Sequence, residues 1–399
     1  MTEPSADGLD REDSDVRFAR ALHRNGMRNA RDWRVAEFRG PSQTAIAAEI
    51  GLSRPTVSGL VARAKDLLVD SRLGLRLDPT KNGYVVGIDF GQRHHRVALG
   101  DIHSQLMPLD EPGAFEVPGN DRPASISFEW AAERIQVLID KAQIDASQIW
   151  AVGVSLPGAV NKRTRRLQSA PRGMDRSWEV VDVQLPDLPE LPAPTVESDY
   201  NASALTEHLW GALRDRRDAL YVKVSRRCSC SLLIDHRIYR GADGLAGRLG
   251  MTELPGPGET RTWVPVEDAF SLASIEGRGF GDMSASKLVE LAKSADELDE
   301  LLRSGARALG IALAPIIDAF NPESVVIGGA LGIASLAWIA QDLIGGINWQ
   351  DTPSPARSTI SERLRAATYP SGTSIRGAMA SALLAGAPER IVKAMAAQR

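Results

Sequence analysis

Apolar and polar residues alternate along this chain in two rhythms, and the change between them falls near residue 84. Before it, residues 17–40 space their apolar positions as helices do, with a break expected near Gly26 and an end at Gly40-Pro41. Residues 44–61 read as two short helices around Gly51. After it, compact apolar runs at 84–90, 96–102 and 150–156 predict strands, the last ending in Pro157-Gly158, and residues 126–141 carry helical spacing. A second series follows, with strands at 219–224 and 231–235, a helix over 301–320 and a strand over 324–329. Two strand-rich cores separated by helices predict an α/β body of two lobes with a cleft between them.

The pair of helices at 44–61 has the pattern of a helix-turn-helix, whose second helix enters the DNA major groove. Ala47 is small where the helices cross, Gly51 supplies the positive φ of the turn, and Val57 fills the core. Ile46, Ile50, Leu52 and Leu60 complete the apolar face. Ser53 reads as the N-cap of the second helix, with Pro55 in its first turn. Candidate DNA contacts are therefore Gln43 and Thr44 on the first helix, Ser53, Arg54, Thr56 and Ser58 at the start of the second, and Arg63 farther along. An ordinary helical hairpin would share the Ala and Gly, and charge separates the two readings. Residues 17–81 hold 13 Lys and Arg against 6 Asp and Glu, a local net of +7, on a chain whose net charge is −4. A basic module on an acidic protein is the footprint expected for binding a phosphate backbone.

With 399 residues the chain is long enough for more than one domain. We divide it into an acidic tail at 1–15, expected to be disordered, a helix-turn-helix domain at 16–82, and a two-lobed body at 83–399. The alternating stretch 70–83 is expected to form a reduced wing as well as the linker. No uncharged apolar stretch approaches a membrane span, and residues 1–15 lack the apolar core of a signal peptide. Cys228 and Cys230 are too close for an ordinary disulfide within one strand, so they are expected to be small buried residues of a cytoplasmic protein.

Five segments of the body carry a further likeness. Gly87-Ile-Asp-Phe-Gly91 with the run 96–101 looks like a first phosphate hairpin, and 153–160 like a Gly-rich strand end with Pro-Gly. Residues 197–207, beginning Glu197-Ser-Asp199, look like a segment holding a catalytic carboxylate. The segments 239–247 and 321–329 supply two later landmarks. In this order they resemble the ROK family (repressors, open reading frames and sugar kinases) of the actin-like ATPase superfold, over residues 17–388. The resemblance implies an N-terminal winged helix-turn-helix joined to a two-lobed, sugar-kinase-like α/β domain, and places the family's catalytic base on Asp199.

The kinase chemistry it implies is a carboxylate that takes a proton from a sugar hydroxyl, with glycine turns opening backbone N–H groups to ATP phosphates. Here the second phosphate loop is replaced by residues 225–231, Ser-Arg-Arg-Cys-Ser-Cys-Ser, which contain no glycine. Asp199 is accordingly expected to be inactive, and the chain not to be an enzyme. Arg248 and Met251 stand where the resemblance implies a sugar-binding Glu and a His, and Arg172 where it implies an Asn. The resemblance also implies a zinc site of three clustered cysteines after that His, and residues 252–275 contain none, so no zinc is expected, nor any other cofactor.

Arg172, Arg226, Arg227 and Arg248 map near the cleft, and arginine forks recognise phosphate and carboxylate. The expected effector seat is Arg172, Asp199, Asn201 and Arg248, for a sugar or an anionic derivative such as a sugar phosphate. The plainer alternative is that some of these arginines pair with Glu197 and Asp199 inside a closed cleft, or simply face solvent. His94 and His95 are expected to be turn residues, and Gly328-Gly329 to permit close packing. The sequence thus points to a repressor acting on double-stranded operator DNA as a homodimer or homotetramer, with no membrane partner. The competing expectations are an active sugar kinase with an appended DNA-binding head, and a DNA-binding dimer that needs no ligand.

Overall fold

The structure, a computed structural model, describes residues 6–29, 41–69, 75, 77–78, 83–104, 106–107, 114–118, 122–169, 174–179, 182–183, 185, 188, 190–255, 263–349 and 354–396. Helix α1 (Ala6–Asn29) starts inside the stretch expected to be disordered and runs unbroken across Gly26. Buried Leu22 and Met27 on either side carry the helix past the break expected at Gly26. Phe18, Ala19 and Leu22 are buried against the following helices, Met27 is buried against the body, and Asp15 is buried beside Arg63. Residues 30–40, with the helix end expected at Gly40, lie outside the described residues.

Helices α2 (Gln43–Ile50) and α3 (Arg54–Arg63) complete the head. Its core of Phe18, Leu22, Ile46, Ile50, Val57 and Leu60 also takes in Ile102, Ile391 and Met395 from the body. Head and body therefore share one apolar cluster. Of the expected wing, an antiparallel bridge between Leu68 and Leu77 and a bond from Asp78 N–H to the Leu67 carbonyl (2.9 Å) are described; 70–74, 76 and 79–82 lie outside.

The first lobe is built on β1 (Tyr84–Phe90), β2 (His94–Asp101), β3 (Ala114–Pro118), β4 (Ile149–Leu156) and β7 (Thr195–Ser198), in the order β3-β2-β1-β4-β7. A hairpin of β5 (Ala159–Asn161) and β6 (Arg166–Ser169) extends beyond β4. Helix α4 (Ala124–Ala142) covers one face, burying Phe128, Ile135 and Leu138. Helix α5 (Asp199–Trp210) follows β7 directly and is buried along most of its length.

The second lobe repeats the plan. Its strands β8 (Ala219–Val224), β9 (Cys228–Ile234), β10 (Arg237–Tyr239), β13 (Ser324–Gly328) and β14 (Leu364–Ala366) run in the order β10-β9-β8-β13-β14. In each sheet three antiparallel strands lead into two parallel ones. The hairpin of β11 (Glu253–Pro255) and β12 (Trp263–Pro265) leads to α6 (Val266–Ala269), α7 (Leu272–Ile275), α8 (Ala285–Ala292) and α9 (Asp296–Phe320). Contrary to the expectation that no stretch approaches a membrane span, helix α10 (Ala330–Ile347) is long and apolar enough by length and composition to cross one. It packs on α9, and its Asp342 accepts from Arg303 and Arg307, as a helix of a protein core does. Short helices α11 (Pro355–Ser358) and α12 (Ile360–Arg363) lead into β14, and the chain closes with α13 (Thr373–Ala396), which packs across β4 and α5 and meets α1.

The strands expected at 84–90, 150–156 and 219–224 are found almost residue for residue. His94 and His95 are not turn residues. They begin β2, and His95 is buried with Nε2 at 2.9 Å from Ser127 Oγ. Burial lowers its pKa from the usual 6.5 to about 4.

Candidate functional sites in the head and the cleft

The turn between α2 and α3 is assembled as the sequence requires. Ser42 caps α2 by accepting from Ala45 N–H (3.1 Å), and Gly51 closes it at φ +67°, where a residue with a side chain would be strained. Ser53 caps α3, accepting from Thr56 N–H at 3.2 Å, and its hydroxyl lies 2.7 Å from that of Thr56. With Val57 and Leu60 turned inward, α3 exposes Arg54, Thr56 and Ser58; Thr44 and Ser53 are also exposed and Gln43 is half-buried.

Arg63 departs from this group. Both of its terminal nitrogens meet the Asp15 carboxylate, Nη1 at 2.9 Å, and Asp15 is 6% exposed. Nearby, Arg17 donates to the Ile50 carbonyl, and Arg24 and Asn25 donate to Glu49. Helix α1 thus uses part of the head's positive charge to hold α2 and α3 in place.

A cleft of about 600 Å³ opens between the lobes. Asp89 at the end of β1, Asp199 at the start of α5 and Lys223 at the end of β8 line it. Asp199 accepts from Lys223 Nζ at 2.7 Å, so the carboxylate that the resemblance makes a candidate base is held in an ion pair. Burial pushes the Asp89 carboxyl pKa up, against the pull of Lys223 and of the Ser374 hydroxyl that donates to it at 2.7 Å.

Asn201 does not line the cleft. It is buried in the first turn of α5, where it accepts from Ser231 Oγ (2.8 Å) and faces Glu197. Glu197 is the hub of a buried network with Arg240 Nη2 at 2.5 Å and Lys162 Nζ at 3.2 Å. Burial opposes its ionisation, yet those two cations outweigh it and hold the carboxyl below the usual range.

The arginines expected at the cleft fall into two sets. Arg226 and Arg227, in the turn between β8 and β9, line it but are paired, with Glu276 (2.7 Å) and Glu267 (2.9 Å). The alternative that paired them with Glu197 and Asp199 is corrected: Arg240, Lys162 and Lys223 take those carboxylates. Arg248 lines the cleft with its side chain exposed, next to Met251, and Arg172 lies outside the described residues. None of residues 225–227 has positive φ, so the glycine-free turn is an ordinary tight hairpin. Cys228 and Cys230 are free and buried on one face of β9, with burial raising both thiol pKa values. Among the described residues no cluster of three or more His, Cys, Asp and Glu could hold a metal.

Sequence reasoning missed Lys223, Arg93, Glu276 and Asp15. Their roles depend on partners far away in the chain, and no local spacing marks them.

A family model described as the ROK family matches residues 85–380. The chain is 25% identical over 271 residues to the DNA-binding transcriptional dual regulator NagC of Escherichia coli K12, covering 63% of this chain and 64% of that protein. It is also 25% identical over 261 residues to the xylose repressor of Bacillus subtilis 168, covering 63% and 65%. The chain thus spans a little under two thirds of the length of these relatives. A crystal structure of a ROK family transcriptional regulator, a homologue of the E. coli MLC protein, superposes with a TM-score of 0.73 at 17% identity, over 95% of this chain and 99% of that one. A ROK hexokinase from Thermus thermophilus superposes at 0.57 and 24% identity over 76% and 98%. That match shares the fold of the body.

Proposed function

The chain belongs to the ROK family, and from that premise we propose that it is a DNA-binding transcriptional repressor whose α3 reads the major groove and whose cleft takes a small effector. The observation that carries this is the head itself: a capped, glycine-turned pair of helices that presents Arg54, Thr56 and Ser58 on an exposed face. Gln43 and Thr44, at the start of α2, would contact the adjoining backbone. Reading a two-fold operator takes two such heads, so the chain acts as a homodimer or a larger symmetric assembly.

The effector is a sugar or a sugar derivative seated beside Asp89, Asp199 and Arg248. Because Arg226 and Arg227 are held by Glu276 and Glu267, an anionic derivative would have to compete with those carboxylates for them. Asp199 is held by Lys223, and the turn at 225–227 offers no glycine to approach a nucleotide, so phosphoryl transfer is not its task.

The experiment is selection of bound fragments from genomic DNA with the full chain, followed by affinity measurements at fixed salt. Arg54→Ala is expected to weaken binding to the selected site by about 1–3 kcal/mol. Equal affinities would remove α3 from the interface. The kinase reading is tested with ATP and a panel of hexoses, where robust turnover would replace the repressor reading.

A further inference from the structure

Two turns face the cleft, one from each lobe: residues 91–93 between β1 and β2, and residues 225–227 between β8 and β9. Each sends one arginine to the same carboxylate. Glu276 Oε1 accepts from Arg93 Nη2, and Glu276 Oε2 accepts from Arg226 Nη1 at 2.7 Å. Arg93 also pairs with Asp282. The side chains of Arg93, Arg226 and Glu276 are 21%, 27% and 17% exposed, so water screens these contacts less than it does ordinary surface pairs. Burial, and then the charge of Arg93, hold the Arg226 guanidinium below its usual pKa. Two cations brought this close require an anion between them.

Both carboxylates ride on one strap. Residues Glu276–Phe280 follow α7 directly and are kinked at Gly279, so they are not a regular helix. Gly279 (φ +94°) and Gly281 (φ +68°) let the strap double back, and no neighbour lies within 4 Å of where their side chains would begin. Arg93 ties the strap to the first lobe by charge.

We propose that Glu276 is the specificity-determining residue of the cleft: its carboxylate fills, from within the chain, the anion seat formed by Arg93 and Arg226, ties the lobes together and turns phosphorylated ligands away. A ligand bearing a di- or triphosphate has to displace Glu276 to reach both arginines. An uncharged, polyhydroxylated ligand does not. It meets Asp199, Arg248 and Ser374 among apolar neighbours such as Pro157 and Met251 and leaves the tie intact. This deepens the proposed function by fixing the class of the effector, and rests on the cleft being its seat; the test uses neither DNA nor effector, so the two can fail separately.

The probe is inorganic tripolyphosphate, followed by calorimetry at low fixed salt on the full chain. The wild type is expected to give no binding. Glu276→Ala, which leaves the two arginines facing each other, is expected to bind at least about tenfold more tightly than the wild type. The double variant Arg93→Ala/Glu276→Ala should lose that gain. Tripolyphosphate binding as tight in the wild type, or no gain in a Glu276→Ala chain that melts cooperatively, overturns the proposal. Should Glu276→Ala fail to fold, Arg93→Ala carries the test alone, with spin labels at the exposed positions Glu129 and Lys287 reporting the distance between the lobes. That distance should lengthen or broaden relative to the wild type; an unchanged distribution overturns the proposal.

Discussion

Arg63 shows how a single partner changes what a residue is for. On the sequence it extends the basic face of α3, but its guanidinium is gripped by Asp15, a residue 48 positions earlier. Asp15→Asn removes the competing charge and leaves a side chain of the same shape. We expect the variant to bind DNA more tightly at low salt and to steepen the salt dependence of log K by about one unit, as one more phosphate contact would. An unchanged slope would mean that Arg63 only braces α1. His23 makes a different contribution from the same helix. It is fully buried, with Nε2 donating to the Ile102 carbonyl at 3.1 Å, and burial together with nearby His103 lowers its pKa from 6.5 to about 3. The unfolded chain takes up that proton near pH 6.5 and the folded chain does not. The stability contributed by neutral His23 is therefore complete above that pH and is lost as pH falls toward the folded value. The loss is about 2 kcal/mol near pH 5. Melting temperatures at neutral and mildly acidic pH should differ less in His23→Gln than in the wild type, the remainder coming from groups such as His95.

At the scale of elements, one side chain of the body holds the end of α1. Trp210, fully buried at the end of α5, donates its indole N–H to the Met27 carbonyl, and Arg376 of α13 stacks over its ring at 4.7 Å. Trp210→Ala is expected to cost about 3–5 kcal/mol and to open α1 to limited proteolysis before the lobes are cut; simultaneous digestion of head and lobes would contradict that order. The strands of both lobes were legible because β1, β4 and β8 are buried on both faces and so appear as unbroken apolar runs. The capped helix pair was legible because its signals are local: a Ser, a Gly and a Pro at fixed offsets. The start of β2 was not, since two histidines look polar in sequence while one of them packs among Phe90, Trp130 and Trp178. Nor was the course of α1 before Val16, where acidic residues outweigh apolar ones. The cleft was legible in outline through Asp89, Asp199 and the missing glycines. Its ion pairs were not, because Arg93 and Glu276 stand 183 residues apart and no periodicity relates them.

For the whole molecule, the question is what the cleft says to the head. If Glu276 keeps the anion seat filled, neutral sugars should raise the melting temperature of the full chain and their phosphorylated forms should not, since only a ligand bound by the native state shifts unfolding. A thermal shift series over matched pairs of sugars and sugar phosphates distinguishes the two, and a larger shift with the phosphates would reverse the assignment.

Helix α13 gives that exchange a length scale. It begins at the cleft, where Ser374 donates to Asp89, and ends with Ile391 and Met395 inside the core of the head. At 1.5 Å per residue the span between those ends is about 30 Å. A tilt of about 5° at the cleft end would carry the far end sideways by about 3 Å, close to the rise of one base pair. In the symmetric dimer proposed above the same tilt would act on both heads, so a movement too small to open the cleft visibly would be enough to put two recognition helices out of step with successive turns of DNA.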